Sequence, residues 1–419
     1  MQTQNNTKSL GLGIFICSIG ALFYCYEYLL RMIPGVMEAQ LRFAFGNISA
    51  TSFGTLSAYY YFAYTPMQLP AGMMMDRIGP RKLLVLACFL CAIGAYLFTF
   101  TGSYSIAAVG RFLIGFGSAF AFVGVLSLAV AWLPQTLFSM VAGLVTTLGM
   151  FGAIVGQVGM SYLIETWGWQ QVLWLGPIIG VVLTIIMFMF LRDAPSNHAN
   201  NENRQILSSR QFFQQIMEVL LDPQIWLIGL IGCLLYLSLS VFAEVWGKSY
   251  LMMAHGLSNL EASSSVSMVF LGWAVGGPLL GLIADLNNKR ITMLIVGALM
   301  AAIFISIVLY ASGLSLLSIN ASLFLYGVFC SVEVIVFALA KDNCSQELAA
   351  TVLSAANMII MLGGAIFQPL VGKMLDFFWD GTLDHQIRVY SQADYQLVLS
   401  FLPLSLLIVA IIAFFVKER

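Results

Sequence analysis

Charge is what this sequence has least of. Only 9% of its 419 residues are Asp, Glu, Lys or Arg, and it has three histidines. A water-soluble domain covers itself with roughly 25% charged residues, so a soluble enzyme or binding module is excluded. With 60% of residues hydrophobic, the class is integral membrane. The net charge of −1 carries no information about partners, because in such a chain the positions of the charges matter and their sum does not. Metal and redox patterns are missing too. Seven cysteines are scattered as Cys17, Cys25, Cys88, Cys91, Cys233, Cys330 and Cys344, all but the last in apolar runs. Cys88 and Cys91 lie mid-run in LLVLACFLCAIGAY with no second pair, so they read as small hydrophobes and imply neither a disulfide framework nor a zinc site. His198, His255 and His385 fall in connections, away from any proton relay. No nucleotide loop, nucleophile–base pair or metal motif points to an enzyme, a cofactor or a nucleic-acid partner. No cleavable signal peptide is apparent either. The polar start MQTQNNTKSLGLG leads into an apolar run too long for a signal core, and the first helix is expected to act as its own insertion signal.

What is present is long apolar segments. A helix needs about 20 residues to cross hydrocarbon. Splitting the chain at its polar punctuation predicts twelve spans, near 10–33, 51–75, 83–101, 105–131, 138–164, 169–191, 224–250, 260–284, 291–312, 315–339, 350–375 and 396–416. The fold class is therefore all-α and membrane-embedded. One long polar stretch, from Arg192 to Gln224, divides the spans six and six. Its Asn-rich start reads as a flexible linker, and Ser208–Leu221 as an amphipathic helix on the membrane surface. The expected organisation is an N-terminal bundle (1–191), a cytoplasmic linker (192–223) and a C-terminal bundle (224–419). With both termini in the cytoplasm, twelve of the 18 basic residues face that side and only Arg42 and Arg388 lie in outside loops, which is the bias that sets topology.

The two halves echo one another. GMMMDRIGPRK after span 2 (Gly72–Lys82) matches GLIADLNNKR after span 8 (Gly281–Arg290), with Gly, three residues, Asp, then a basic pair. GAIVGQVG in span 5 matches GAIFQPLVG in span 11. Spans 1 and 7 each carry an acid four residues before a base: Glu27 and Arg31, then Glu244 and Lys248. Matched halves are the mark of a transporter built from repeats, with its site between them.

On these residues the chain resembles the major facilitator superfamily. Gly72, Asp76, Arg77, Gly79, Arg81 and Lys82 are similar to the signature loop, with Pro80 as a one-residue insertion, and Asp285 belongs to its degenerate second copy. Arg111, Gly115 and Gly117 in GRFLIGFG resemble the fourth-helix signature. The resemblance covers the whole chain and implies two six-helix bundles rocking about a central cavity, with the Asp76 loop holding the inner gate shut against the end of span 11. Leu286 stands where the first copy has Arg77, so the second gate is expected to be weaker. Drug/proton antiporters carry a Gly-Pro pair in helix five, which LGMFGAIVGQ lacks. YEYLLR in helix one is similar to amino-acid, nucleoside and small-peptide uptake carriers, including bacterial phagosomal transporters and the lysosomal dipeptide branch.

Six ionisable residues fall inside predicted spans: Glu27, Arg31, Arg111, Glu244, Lys248 and Glu333. An isolated charge at the bilayer centre costs at least about 2.5–3.5 kcal/mol. These residues must therefore face the bundle interior, a wet cavity or one another. Glu27 and Arg31 share a helix face; a local salt bridge and a role in substrate binding are both open. Spans 1 and 7 face each other in this family, so Glu244 and Lys248 are expected to complete a ring of four charges, fit for a substrate bearing both signs or for an outer gate. Arg111 has no local countercharge; its expected partner is Glu27 or a substrate carboxylate. Glu333 has no neighbouring base, and carboxyl groups in low dielectric can exchange protons near neutral pH, which makes Glu333 and Glu27 the candidates for proton coupling. Gln68, Gln157, Asn357 and Gln368, with Trp246 and Trp273, are further candidates for the cavity wall.

The expectation is a secondary transporter of a small polar organic solute, amino acid or short peptide favoured, working by proton-coupled symport in a bacterial inner membrane. Efflux of an organic anion, siderophore or drug-like compound is the alternative. The expected partners are the solute, protons and the lipid bilayer, and the expected state is a monomer.

Overall fold

The computed structural model describes residues 2–134, 137–193, 209–287, 289–345, 348–384 and 387–417, without the side chains of 2–9, 76, 138–139, 209–210, 212, 384 and 387. His198, Arg204 and the Asn-rich linker start, together with His385, lie outside the described residues. Eleven helices are long and apolar enough to cross a membrane. They are span 1 (Leu10–Val36), span 3 (Pro80–Phe98), span 4 (Tyr104–Trp132), span 5 (Met140–Trp167), span 6 (Trp169–Phe190), span 7 (Pro223–His255), span 8 (Asn259–Asn287), span 9 (Arg290–Tyr310), span 10 (Leu316–Asp342), span 11 (Ala349–Phe378) and span 12 (Gln392–Phe415). Span 2 (Ala50–Ile78) is a 29-residue helix of sufficient length. Tyr59, Tyr60, Tyr61 and Tyr64 make it less apolar than the rest. The polar groups that dilute it turn inward, with Tyr60 and Tyr61 wholly buried. Twelve helices thus alternate in direction, as the sequence predicts. The end of the bundle where spans 1 and 12 have Leu10 and Phe415 is called proximal here, the other distal.

Three shorter elements accompany the spans. Glu38–Ala44 is a helix in the distal connection between spans 1 and 2. Ser209–Leu220 is a helix against the proximal end of span 11, where Thr351 donates to Gln215. Its Phe213 and Met217, four residues apart, face outward and are exposed. Leu383–Asp384 and Ile387–Arg388 pair as a two-residue antiparallel ribbon between spans 11 and 12, the only β-strands among the described residues.

Backbone chemistry sets several features that position the site. Gly79, at φ 91°, makes the tight turn into span 3, and Pro80 opens that helix. Pro34 stands inside span 1 and has no N–H to give the carbonyl four residues back, so the Leu30 carbonyl is left free. Span 7 is wound as a π-helix over Ser238–Trp246, and span 5 over Val155–Gly159. Such turns disturb the i→i+4 ladder, and the gap is filled from outside. The Gln368 side-chain amide donates to the Ser240 carbonyl at 2.6 Å, and that of Gln157 to the Ala243 carbonyl at 2.7 Å. The two glutamines lie in the two GAI segments, Gln157 five residues after Gly152 and Gln368 four after Gly364.

Spans 1–6 meet spans 7–12 along the pairs 2/11, 1/7 and 5/8. In the distal part of this junction the backbones touch. A Cβ at Gly35 would overlap the Glu244 carbonyl, one at Gly54 the Gln368 carbonyl, and one at Gly372 the Ala50 carbonyl. Only glycine allows so close an approach.

Candidate functional site

The two sets of six spans enclose a cavity of about 610 Å³. Tyr24, Tyr28 and Tyr64 wall it on one side, and Tyr236, Trp273 and Glu333 on the other. Gln68 and Asn357 also line it and join the two sides, the Asn357 amide donating to the Gln68 oxygen at 2.7 Å. Ser127, Thr146, Thr147 and Ser354 add small hydroxyls. Apolar walls with a few convergent polar groups are the make-up of a small-molecule site.

Directly behind the tyrosines lies a buried ion cluster. Arg31 is 3.6 Å from Glu27 on its own helix and 3.5 Å from Glu244 on span 7. It also donates to the Tyr236 hydroxyl at 2.9 Å and the Tyr60 hydroxyl at 2.7 Å. The Tyr60 hydroxyl in turn donates to Glu27 at 2.8 Å, and that of Tyr61 to Glu244 at 2.7 Å. The guanidinium sits over the Tyr28 ring at 4.4 Å and the Tyr60 ring at 4.8 Å, which adds cation–π attraction. Glu27, Arg31 and Glu244 are 0%, 2% and 1% exposed. Burial at this depth is tolerable only because each ion has an opposite charge and hydrogen-bonded hydroxyls beside it. The pairing is incomplete: Glu27 Oε1, Arg31 Nε and Glu244 Oε1 are buried with no hydrogen bond.

The other expected site residues fall elsewhere. Arg111 is buried, but it meets backbone rather than a carboxylate: it donates to the Leu30 carbonyl at 3.0 Å and the Ser57 carbonyl at 3.4 Å. The carbonyl freed by Pro34 is what receives it, so proline and arginine on different helices satisfy one another. Arg111 still stands 5.4 Å over the Tyr60 ring, next to the cluster. Lys248 does not pair with Glu244 four residues before it. Its ammonium donates to the Val36 carbonyl at 2.7 Å and reaches the Ser161 hydroxyl at 3.5 Å. Val36 is the last residue of span 1, whose final carbonyls have no helical partner and draw cations. Glu333 alone of the three in-span acids lines the cavity, 7% exposed.

Distal to the cluster the halves are joined by a polar seal. Glu38 pairs with Arg42 at 3.3 Å and accepts from Ser249 across the junction. Arg42 donates to the Arg388 carbonyl at 3.2 Å and to the Tyr390 hydroxyl at 3.3 Å. Asp376, at the end of span 11, accepts from the Ala50 and Thr51 amides at 3.2 and 2.8 Å and from the Thr51 hydroxyl at 2.5 Å. It thus caps the start of span 2 from the other half, where an anion is favoured. Tyr390 donates to Asp376 at 2.6 Å. Burial pushes the Tyr390 phenol well above its ordinary range, with Asp376 adding to the effect, so it remains a donor. Sequence reasoning missed Asp376, Glu38, Tyr236 and Tyr390. The only signal of Asp376, Glu38 and Tyr390 is an acid or phenol near a predicted boundary, and that of Tyr236 a single phenol inside predicted span 7.

The signature loop lies at the proximal end. Gly72 has open space where a Cβ would point, and Arg77 and Lys82 are exposed. Arg81 belongs to its own half: its amide donates to Asp193 at 2.8 Å and its guanidinium to the Phe188 carbonyl at 3.1 Å. The expectation for Asp76 concerns a side chain outside those described. In the second copy Arg290 pairs with Asp285 at 2.8 Å and with Asp342.

The chain is similar to "Probable sulfoacetate transporter SauU" of Cupriavidus necator, 22% identical over 303 residues, 69% of this chain and 68% of that one. It is similar also to "Probable galactarate/D-glucarate transporter GarP" of Escherichia coli, 24% identical over 270 residues; the match spans 60% of that relative, less than two thirds of its length. Its fold matches that of a bacterial homologue of the human lysosomal transporter Spinster, with a TM-score of 0.78 at 16% identity over 96% of each chain. These relatives are transporters, not enzymes. A family model described as Major Facilitator Superfamily matches residues 12–368, and the chain belongs to that family.

Proposed function

We propose that the protein is a secondary transporter that carries a small organic anion together with protons by alternating access. The observation that carries this reading is Arg31, held between one carboxylate from each half immediately behind the cavity wall. A guanidinium in a fork of phenols is the group best suited to a carboxylate or sulfonate. The names of the similar proteins, for sulfoacetate and for galactarate or D-glucarate, all specify such anions. The halves 1–191 and 224–419, joined through 192–223, are the rocking bodies. The termini are cytoplasmic, so the sealed distal end faces outside and the cavity opens inward. Asp76, Arg77 and Arg81 serve the inner gate when the halves rock the other way.

An amino acid or short peptide is the second reading, favoured by Glu333, which faces the cavity and suits an ammonium group. Proteoliposome uptake of sulfoacetate, D-glucarate, amino acids and dipeptides, with an inward proton gradient and with it collapsed, tests both. Gradient-dependent accumulation of an anion supports the first. Accumulation confined to zwitterions replaces it with the second, and unsaturable, gradient-independent flux overturns both.

A further inference from the structure

We propose that Glu244 and the transported anion take turns as the partner of Arg31, so that each closure of the distal end around an anion requires one proton on Glu244. This rests on the transport reading above.

The asymmetry between the two acids is the starting observation. Glu27 is bonded within its own half, to Arg31 and Tyr60. Glu244 is held from the other half, by Arg31 and Tyr61. Gly35 lies against the Glu244 backbone, so distal opening must draw Glu244 away from Arg31. The titratable groups that face Glu244 come from several helices: Glu27, Tyr28 and Arg31 on span 1, Tyr61 on span 2 and Arg111 on span 4. Tyr236 and Lys248 lie on its own helix, Lys248 one turn further and turned to Val36. Span 10 brings Tyr326 to Phe242, and span 11 brings Gln368 to Ser240 and Trp246.

Counting charge in the closed cluster decides which states can close. Glu27 and Glu244 against Arg31 and Arg111 sum to zero. With one anionic group of the solute on Arg31 and Glu244 ionised, the buried sum is −1; with that group and a proton on Glu244 it is zero; with the proton alone it is +1. The second carboxylate of a dianion such as D-glucarate stays in the cavity, outside this count. A buried unbalanced charge costs several kcal/mol. Closure is therefore allowed empty, or with anion and proton together, and disfavoured with either alone. The proton adds to a Glu244 carboxylate oxygen while the distal side is wet, and the same O–H bond breaks when the cavity side opens and the anion leaves. Glu333 stands apart from this count as a cavity-lining group.

The first test needs no solute. Spin labels at exposed Gly102 and Ser312, on distal connections of opposite halves, report distal separation by double electron–electron resonance. In the empty wild type, acidification from about pH 8 to about pH 4, down to the ordinary carboxylate range, should raise the population of the longer distance severalfold. Glu244→Gln should show the longer distance at both ends of that range, with no response to acidification. An unresponsive wild type, or a wild-type response in Glu244→Gln, overturns the proposal. The second test uses proteoliposomes and D-glucarate. Glu244→Gln should keep counterflow of D-glucarate and lose accumulation driven by a proton gradient. Retained gradient-driven accumulation overturns the proposal. If none of the solutes tested for transport moves while the labels respond as stated, the transport reading fails and the Glu244 switch stands.

Discussion

Asp376→Ala should unlatch the distal end. Asp376 stands at the end of span 11 and spends three hydrogen bonds on the other half, two of them on the free amides that open span 2. All three are broken when the halves part distally, while its bonds to Tyr390 and Arg388 stay within its own half. Hydrogen bonds to a charged group contribute about 1.5–3 kcal/mol each in favourable settings. Here the side chain is 14% exposed, and water replaces the lost partners on opening. A net loss of about 2–4 kcal/mol for the three is therefore reasonable, including the interaction with the helix terminus. At about 1.4 kcal/mol per tenfold, the ratio of distally open to closed protein should rise roughly thirtyfold to a thousandfold. Labels at Gly102 and Ser312 read that ratio directly, and Asp376→Asn, which keeps acceptor capacity without the charge, should fall between wild type and alanine. A distance distribution in Asp376→Ala that matches wild type would refute the view that this cross-half cap holds the seal.

Gly35→Leu should hold the distal end apart, because its side chain has to occupy the place of the Glu244 carbonyl; the same label pair should show the long distance with no acidification. Tyr60→Phe removes the donor to Glu27 and the acceptor of Arg31. Leaving buried ions short of a partner costs about 1–3 kcal/mol, seen as a lower unfolding temperature of the purified protein, and an unchanged temperature would count against the cluster as a structural element. Glu333→Gln should leave that temperature within about a degree, since its carboxyl has room at the cavity wall, yet alter solute preference in uptake; a large stability loss would assign it to packing instead. Arg290→Ala breaks two largely exposed ion pairs with Asp285 and Asp342. Such pairs contribute about 0–1 kcal/mol, so stability should barely change.

The sequence by itself determined the architecture. Hydrophobic run length set the spans, and the paucity of charge required that every in-span ion find a counterpart, because hydrocarbon solvates neither ions nor bare backbone. Glu27 beside Arg31 was legible for the same reason, being four residues apart on one helix. The identity of long-range partners was not legible. The sequence reading set Glu244 and Lys248 together in one ring of four charges, yet Lys248 goes to the free carbonyls that end span 1, and Glu244 to Arg31 and Tyr61 of the other half. Arg111 found no acid because Pro34, on a different helix, had left a carbonyl unused at Leu30. Only the tertiary structure decides such contacts, since they depend on which helix ends, freed carbonyls and glycine gaps come within about 3 Å of a charge, and spacing along the chain carries no record of that distance.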